Sequence, residues 1–172
     1  MKASVLNRKL HRWGAILTAV PLLVIIGSGI LLQLKKEWGW IQPPTRRGEG
    51  TYPTISFERI LEAARSSPGA GISSWNDIDR LDVRCDRGIV KVQGKSQHEV
   101  QVDTVTGEVL QVAYRRSDLI ESIHDGTFFA DWAKLGVFLP AGAILLGLWG
   151  TGVYLWLLPH LARRKRKRAQ TA

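Results

Sequence analysis

WGAILTAVPLLVIIGSGILLQL, residues Trp13–Leu34, runs 22 residues without a charged side chain. At about 1.5 Å per residue it reaches about 33 Å, enough for a hydrocarbon core of about 30 Å. A second run, Leu135–Leu161, has 27 residues without Lys, Arg, Asp or Glu, and His160 sits at its end. Two such segments in a chain of 172 residues would leave a soluble fold little surface for water. The sequence therefore predicts two transmembrane helices. Lys35-Lys36 follow the first run with no small-x-small cleavage site, so that run reads as an anchor rather than a signal peptide. Pro21 and Pro140 fall inside the runs, where each removes a backbone donor and is expected to kink its helix.

Charge fixes the expected topology. Lys and Arg number 24 against 15 Asp and Glu, a net charge of +9. Every acidic residue lies between Glu37 and Asp131, so the surplus sits in two tails. One carries Lys2, Arg8, Lys9 and Arg12, the other the run Arg163–Arg168, and each abuts an apolar segment. Short basic flanks stay cytoplasmic, which places both termini inside and residues 35–134 outside. Beside a span, the arginine-lysine run marks orientation and anionic-lipid contact rather than nucleic-acid binding. The lipid bilayer is the expected partner and nucleic acid is not. Small residues recur at fourfold spacing, Gly14 and Thr18 in the first run and Ala143, Gly147 and Thr151 in the second. Such surfaces let helices approach each other or a second copy, or could line a flat cofactor.

The stretch between the spans changes period. Residues 35–53 read as a linker with Pro43-Pro44, Gly48 and Gly50, and Trp38 and Trp40 suit an interfacial belt. Ser56 is a candidate N-cap for a helix Phe57–Arg65, with Phe57, Ile60, Leu61 and Ala64 at helical spacing and Pro68-Gly69 beyond its end. From Leu81 the period becomes two. Leu81, Val83 and Cys85, then Val90 and Val92, Val100 and Val102, and Leu110, Val112 and Tyr114 alternate with polar or small residues. That predicts three or four half-buried antiparallel strands under one helix. The fold class expected is an α+β membrane protein, two antiparallel transmembrane helices flanking a small helix-plus-antiparallel-sheet domain. Its segments are a basic N-terminus (1–12), a span (13–34), a linker (35–53), the outer domain (54–116), a connector (117–134), a second span (135–161) and a basic tail (162–172).

The turn Asp103-Thr104-Val105-Thr106-Gly107-Glu108, preceded by a short helix and strands, resembles the PepSY domain. Leu10-His11-Arg12-Trp13-Gly14 and Ser28-Gly29 in the first span resemble PepSY-associated transmembrane (PepSY-TM) proteins. So do Ile123-His124-Asp125-Gly126 before the second span and Gly152-Val153-Tyr154-Leu155-Trp156 near its close. The resemblance covers almost the whole chain and marks a short two-span member with one outer domain, whereas larger members have about four spans. It implies a multi-pass protein of the bacterial cytoplasmic (inner) membrane with its PepSY-like domain extracytoplasmic.

The chemistry that the sequence permits is narrow. The lone Cys85 excludes an internal disulfide framework and any one-chain zinc-ribbon or iron–sulfur site. No Ser-His-Asp constellation, phosphate loop, Rossmann fingerprint, HExxH or CxxC is present, and no catalytic residue is assigned. Of the four histidines, His11 opens the first span, His160 closes the second, His124 precedes the second on the outer side and His98 falls in the strand region. Imidazole at a helix end serves as an amphipathic interfacial ring, yet polar groups at membrane depth are also functional candidates. Neutral imidazole is moreover an axial donor for haem iron. The family includes ferric-siderophore reductases that carry haem between spans, so the resemblance implies haem b, with His11 and His124 as its iron ligands and His160 as a further cofactor-binding candidate.

A whole span, about 33 Å, is expected between His11 and His124, so the two cannot share one iron. Either His11 pairs with His160, or two chains associate as a four-helix bundle with one haem near each face. Two function classes follow. One is a haem-binding electron carrier acting on an extracytoplasmic acceptor such as a ferric complex or flavoprotein, as a homodimer or with another membrane subunit. The other is a redox-silent anchor that presents a PepSY module as a regulatory or accessory subunit. Whether the chain is itself an enzyme stays open at this point.

Overall fold

The computed structural model describes the backbone of residues 3–170 and the side chains of residues 5–160; Lys2 and the side chains of Arg163–Arg168 lie outside that part. The chain divides into two compact units, one formed by residues 1–29 and 122–172, the other by residues 30–121.

The first unit is a helical pair. Helix α1 covers Ala3–Gln33, so Arg8, Lys9 and Arg12 are helical and continuous with the apolar run. Its partner is helix α4, Leu139–Gln170, preceded by one π-turn over Lys134–Phe138. The segments Val5–Gln33 and Lys134–His160 are long and apolar enough to cross a membrane. Only 17% and 6% of their most apolar windows are buried, whereas helices of a soluble core would be mostly covered. Their outward surfaces, with Leu17, Val20 and Leu23 on α1 and Leu146, Trp149 and Trp156 on α4, suit lipid or another membrane chain.

Contact between the two helices follows a seven-residue spacing. On α1 the less exposed positions include His11, Gly14, Thr18, Pro21, Ile25 and Ser28; on α4 they include Ala141, Ile144, Leu148, Thr151, Leu155 and Leu158. Gly14 admits Leu148 and Ile144, since a Cβ there would lie 3.1 Å from Leu148 Cδ2. Of the small residues at fourfold spacing, Ala143 and Gly147 face away from this seam: Ala143 is exposed and nothing lies within 4 Å of a Cβ built on Gly147. The α4 seam uses larger residues, so close approach comes from Gly14 on α1. Pro140 is the second residue of α4, where a missing donor costs least, and the adjoining π-turn takes up the irregularity.

The second unit is the α+β domain. Helix α2 spans Phe57–Arg65, with Ser56 accepting from the Arg59 N–H as N-cap. Four antiparallel strands, β1 (Ile78–Arg84), β2 (Ile89–Gly94), β3 (His98–Asp103) and β4 (Val109–Tyr114), lie in the order 1-2-3-4. Val90 pairs with Val102 and Val92 with Val100, and this face packs on Ile60, Ala63 and Ala64 of α2. In the β3–β4 turn Asp103 Oδ1 accepts from the Val105 and Thr106 N–H groups, and Gly107 takes φ +72°.

The opposite face is where structure departs from expectation. Alternation predicted a solvated polar face, but β2 is buried throughout and β3 nearly so. Lys91, Glu99 and Gln101 are the covered residues. The proline-glycine segment after the first span lies across them: Gln101 Nε2 donates to the Pro44 carbonyl, the Arg46 N–H to Gln101 Oε1 and the Glu49 N–H to Asp103 Oδ2. Gly88, at φ +67°, and Gly50 are in backbone contact that leaves no room for a side chain. Cys85 lies in a turn after β1 and is exposed rather than on the buried strand face. A further helix, α3 (Arg116–Asp125), occupies what alternation left as connector; the Ser117 N–H donates to the Ile41 carbonyl.

Candidate functional site

The candidate site residues of the helical unit are His11 and His124. His11 lies on the α1 seam and its Nδ1 is 3.0 Å from Thr151 Oγ1. The Thr151 hydroxyl has one proton, and its helical acceptors are the Gly147 and Leu148 carbonyls at 3.0 and 3.1 Å. With that proton on either carbonyl, Thr151 accepts from His11, and Nδ1 is then the nitrogen that carries the hydrogen.

The same arrangement recurs at the other end. His124 Nδ1 is 3.0 Å from Ser28 Oγ and 3.0 Å from the Ile25 carbonyl. A carbonyl only accepts, and Ser28 directs its own proton to the Val24 carbonyl at 2.5 Å. Nδ1 of His124 is therefore the donor, and Nε2 of the neutral ring keeps its electron pair. Gly29 makes room for the ring, since a Cβ there would lie 3.3 Å from His124 Cε1.

The chain after His124 holds that ring on its helix end. Asp125 Oδ1 accepts from the Thr127 N–H and hydroxyl, while Oδ2 pairs with Lys134 Nζ at 2.7 Å. The Lys134 hydrogen bond, with those from Thr127, outweighs burial and lowers the Asp125 carboxyl to about 2. Gly126 takes φ +89° and the Phe138 ring lies against it, 2.5 Å from where a Cβ would stand. Each residue of His124-Asp125-Gly126 thus has its own job in one corner: ring placement, turn closure and chain reversal.

His11 and His124 are not brought together. His124 meets α1 at Ile25 and Ser28, 14 and 17 residues beyond His11, which is about 21–26 Å along the axis. That is shorter than a whole span, because His124 reaches inward past the helix end. His160 is exposed and its ring lies on Trp156 at 5.2 Å between centroids. It stands nine residues beyond Thr151, about 13 Å along α4, so the structure does not bring it to His11. His98 opens β3 with its edge on Tyr114 at 5.3 Å.

Residues 8–171 match the family described as PepSY-associated TM region. The chain belongs to that family. No curated protein and no solved structure matches it. In this PepSY-associated membrane protein the residues that carried the resemblance, His11, Gly14, Ser28, Gly29, His124 and Gly126, all make the contacts described above. Thr151 and Ser28, singled out in the sequence for spacing and for the resemblance, are the partners of the histidines, a role the sequence did not assign them. Their signal was present as hydroxyls inside apolar runs, one of them in register with His11.

Among the described residues no three His, Cys, Asp or Glu side chains cluster to hold a bare metal ion. Each histidine offers instead a single nitrogen of fixed orientation. A neutral imidazole nitrogen of this kind could hold the iron of a haem.

Proposed function

We propose that this protein is an integral protein of the bacterial cytoplasmic membrane, with both termini inside and the PepSY-like domain outside. In this reading it binds b-type haem and passes electrons outward to an extracytoplasmic acceptor such as a ferric complex or flavoprotein. The observation that carries the reading is the matched state of His11 and His124. Each Nδ1–H is engaged by an acceptor held within a helix, leaving Nε2 free to ligate. A haem so bound supplies a one-electron couple. Thr151 and Ser28 act as positioning residues that fix the tautomer and raise the basicity of the ligating nitrogen. One chain gives one nitrogen at each level, so the second axial donor at each comes from a second copy or another membrane subunit.

The test is spectroscopic. Membranes from cells overexpressing the protein with haem supplied show a Soret band that sharpens and shifts on dithionite. His11→Ala and His124→Ala each remove part of it, while Thr151→Val and Ser28→Ala keep the haem and move the band or its potential. Colourless purified protein overturns the haem reading. Full haem in both alanine variants overturns the choice of ligands. A second reading, a redox-silent anchor presenting the PepSY module, is favoured by the fact that the same two hydrogen bonds tie separate segments of the helical unit together. It is the reading left standing by a colourless protein.

A further inference from the structure

The α+β unit contains a cleft of about 730 Å³ on the polar side of its sheet, unrelated to the two histidines. Seven cationic and three acidic side chains line it. The cations converge from separate parts of the chain: Lys35 and Lys36 after α1, Arg80 and Arg84 on β1, Arg87 in the following turn, and Lys91 on β2. Most have a carboxylate within the protein. Arg84 pairs with Asp82, Arg87 with Asp86, Lys91 with Glu99, and Arg80 reaches Asp118 at 3.5 Å while donating to Gln93. Lys35 and Lys36 make no side-chain hydrogen bond or ion pair with another described residue, although they complete the same wall. A concave surface with more cations than its own carboxylates neutralise lowers the energy of an anion brought to it. Guanidinium forks beside lysine points match a phosphate oxygen better than a single ammonium does.

Position narrows the source. Lys35 is two residues past Gln33, the last residue of α1, so its backbone lies within about 7 Å of that apolar helix's end. One wall of the cleft is therefore at the height of lipid headgroups in any orientation that lets α1 cross a bilayer. We infer that this cleft binds a phosphate-bearing anion, and that the headgroup of an anionic phospholipid is its source. The basic C-terminal run at Arg163–Arg168 was the sequence's own candidate for lipid contact; the cleft is a second site, in the other unit.

Native mass spectrometry of the full-length protein in detergent, titrated with cardiolipin or phosphatidylglycerol and with phosphatidylcholine as the neutral control, tests this. Wild-type protein retains the anionic lipids in preference to phosphatidylcholine. Lys35→Gln/Lys36→Gln weakens that retention about 20–30-fold, and Lys35→Arg/Lys36→Arg keeps it. These side chains make no hydrogen bond or ion pair with a described residue to lose, so the glutamine variant folds, and its unchanged melting in detergent confirms that. Pyrophosphate added without lipid forms the second arm. A thermal shift dependent on Lys35 and Lys36, with no lipid preference, keeps the phosphate site but overturns the lipid as its source. If neither probe responds to these two lysines, or lipid retention is lost only in an Arg163→Gln/Arg164→Gln variant, the inference is wrong.

Discussion

Glu99→Gln removes one charge from the centre of the sheet and leaves its shape. Glu99 is fully buried and holds Lys91 Nζ at 3.2 Å, Arg115 Nη1 at 2.8 Å and Gln101 Nε2 at 2.7 Å. Arg115 keeps Asp118 as a second partner and Gln101 keeps the Pro44 carbonyl. Lys91, 2% exposed, has Glu99 as its one carboxylate, so the neutral substitution strands it. Leaving one member of a buried pair uncompensated costs about 3–5 kcal/mol. Lys91 stands on the wall of the open cleft, so the lower end applies, about 3 kcal/mol. Hydrogen exchange read by mass spectrometry on peptides covering residues 89–103 of the full-length protein converts that to exchange about 100- to 200-fold faster. Adding Lys91→Met removes the stranded charge, and the double variant recovers at least half of the loss. Exchange less than about fivefold faster in Glu99→Gln, or a double variant worse than the single, refutes the claim that this charge pair holds the covered face.

Gly126→Ala puts a Cβ at φ +89° and against the Phe138 ring; strain at such a position costs about 1–3 kcal/mol, so the detergent-solubilised protein melts several degrees lower. Equal melting temperatures would remove the corner from the argument. Cys85 is exposed in the domain and is the one cysteine of the chain, so a membrane-impermeant maleimide labels it in intact spheroplasts. Labelling that requires lysis overturns the outward placement of the domain. Asp77 accepts from the side chains and N–H groups of Ser73 and Ser74, which hold its carboxyl at about 2. Because the folded state lowers this pKa, the stabilisation is present above the unfolded value near 4 and is lost as pH falls through about 2. Asp77→Asn therefore melts below wild type at pH 6, and the gap closes towards pH 2; a gap independent of pH contradicts the sign.

The PepSY-like strands were legible because Val90, Val92, Val100 and Val102 alternate strictly, and a residue slipped by one would turn its side chain to the other face. Helix α2 was legible to the residue, since Ser56 caps it and Ile60 and Ala64 sit one turn apart. Helix α3 was not, because Arg116–Asp125 is short and polar and only its docking, through the Ser117 N–H on the Ile41 carbonyl, makes it worth forming. The linker gave no sign that its backbone would satisfy Gln101 and Asp103, because hydrogen bonds from irregular backbone leave no period in a sequence. At the candidate site the histidines, Ser28 and Thr151 were visible as residue types, but which would meet which was not.

Composition and spacing alone determined that this chain has two apolar helices around a small α+β domain. Apolar length and alternation are one-dimensional properties, and burying apolar surface needs no particular partner. Only tertiary structure decided that Lys91, Glu99 and Gln101 are interior, that Ala143 and Gly147 face outward, and that Thr151 and Ser28 stand against His11 and His124. Those outcomes depend on directed hydrogen bonds between residues as far apart as 140 positions, and a directed bond exists only once both ends have been placed.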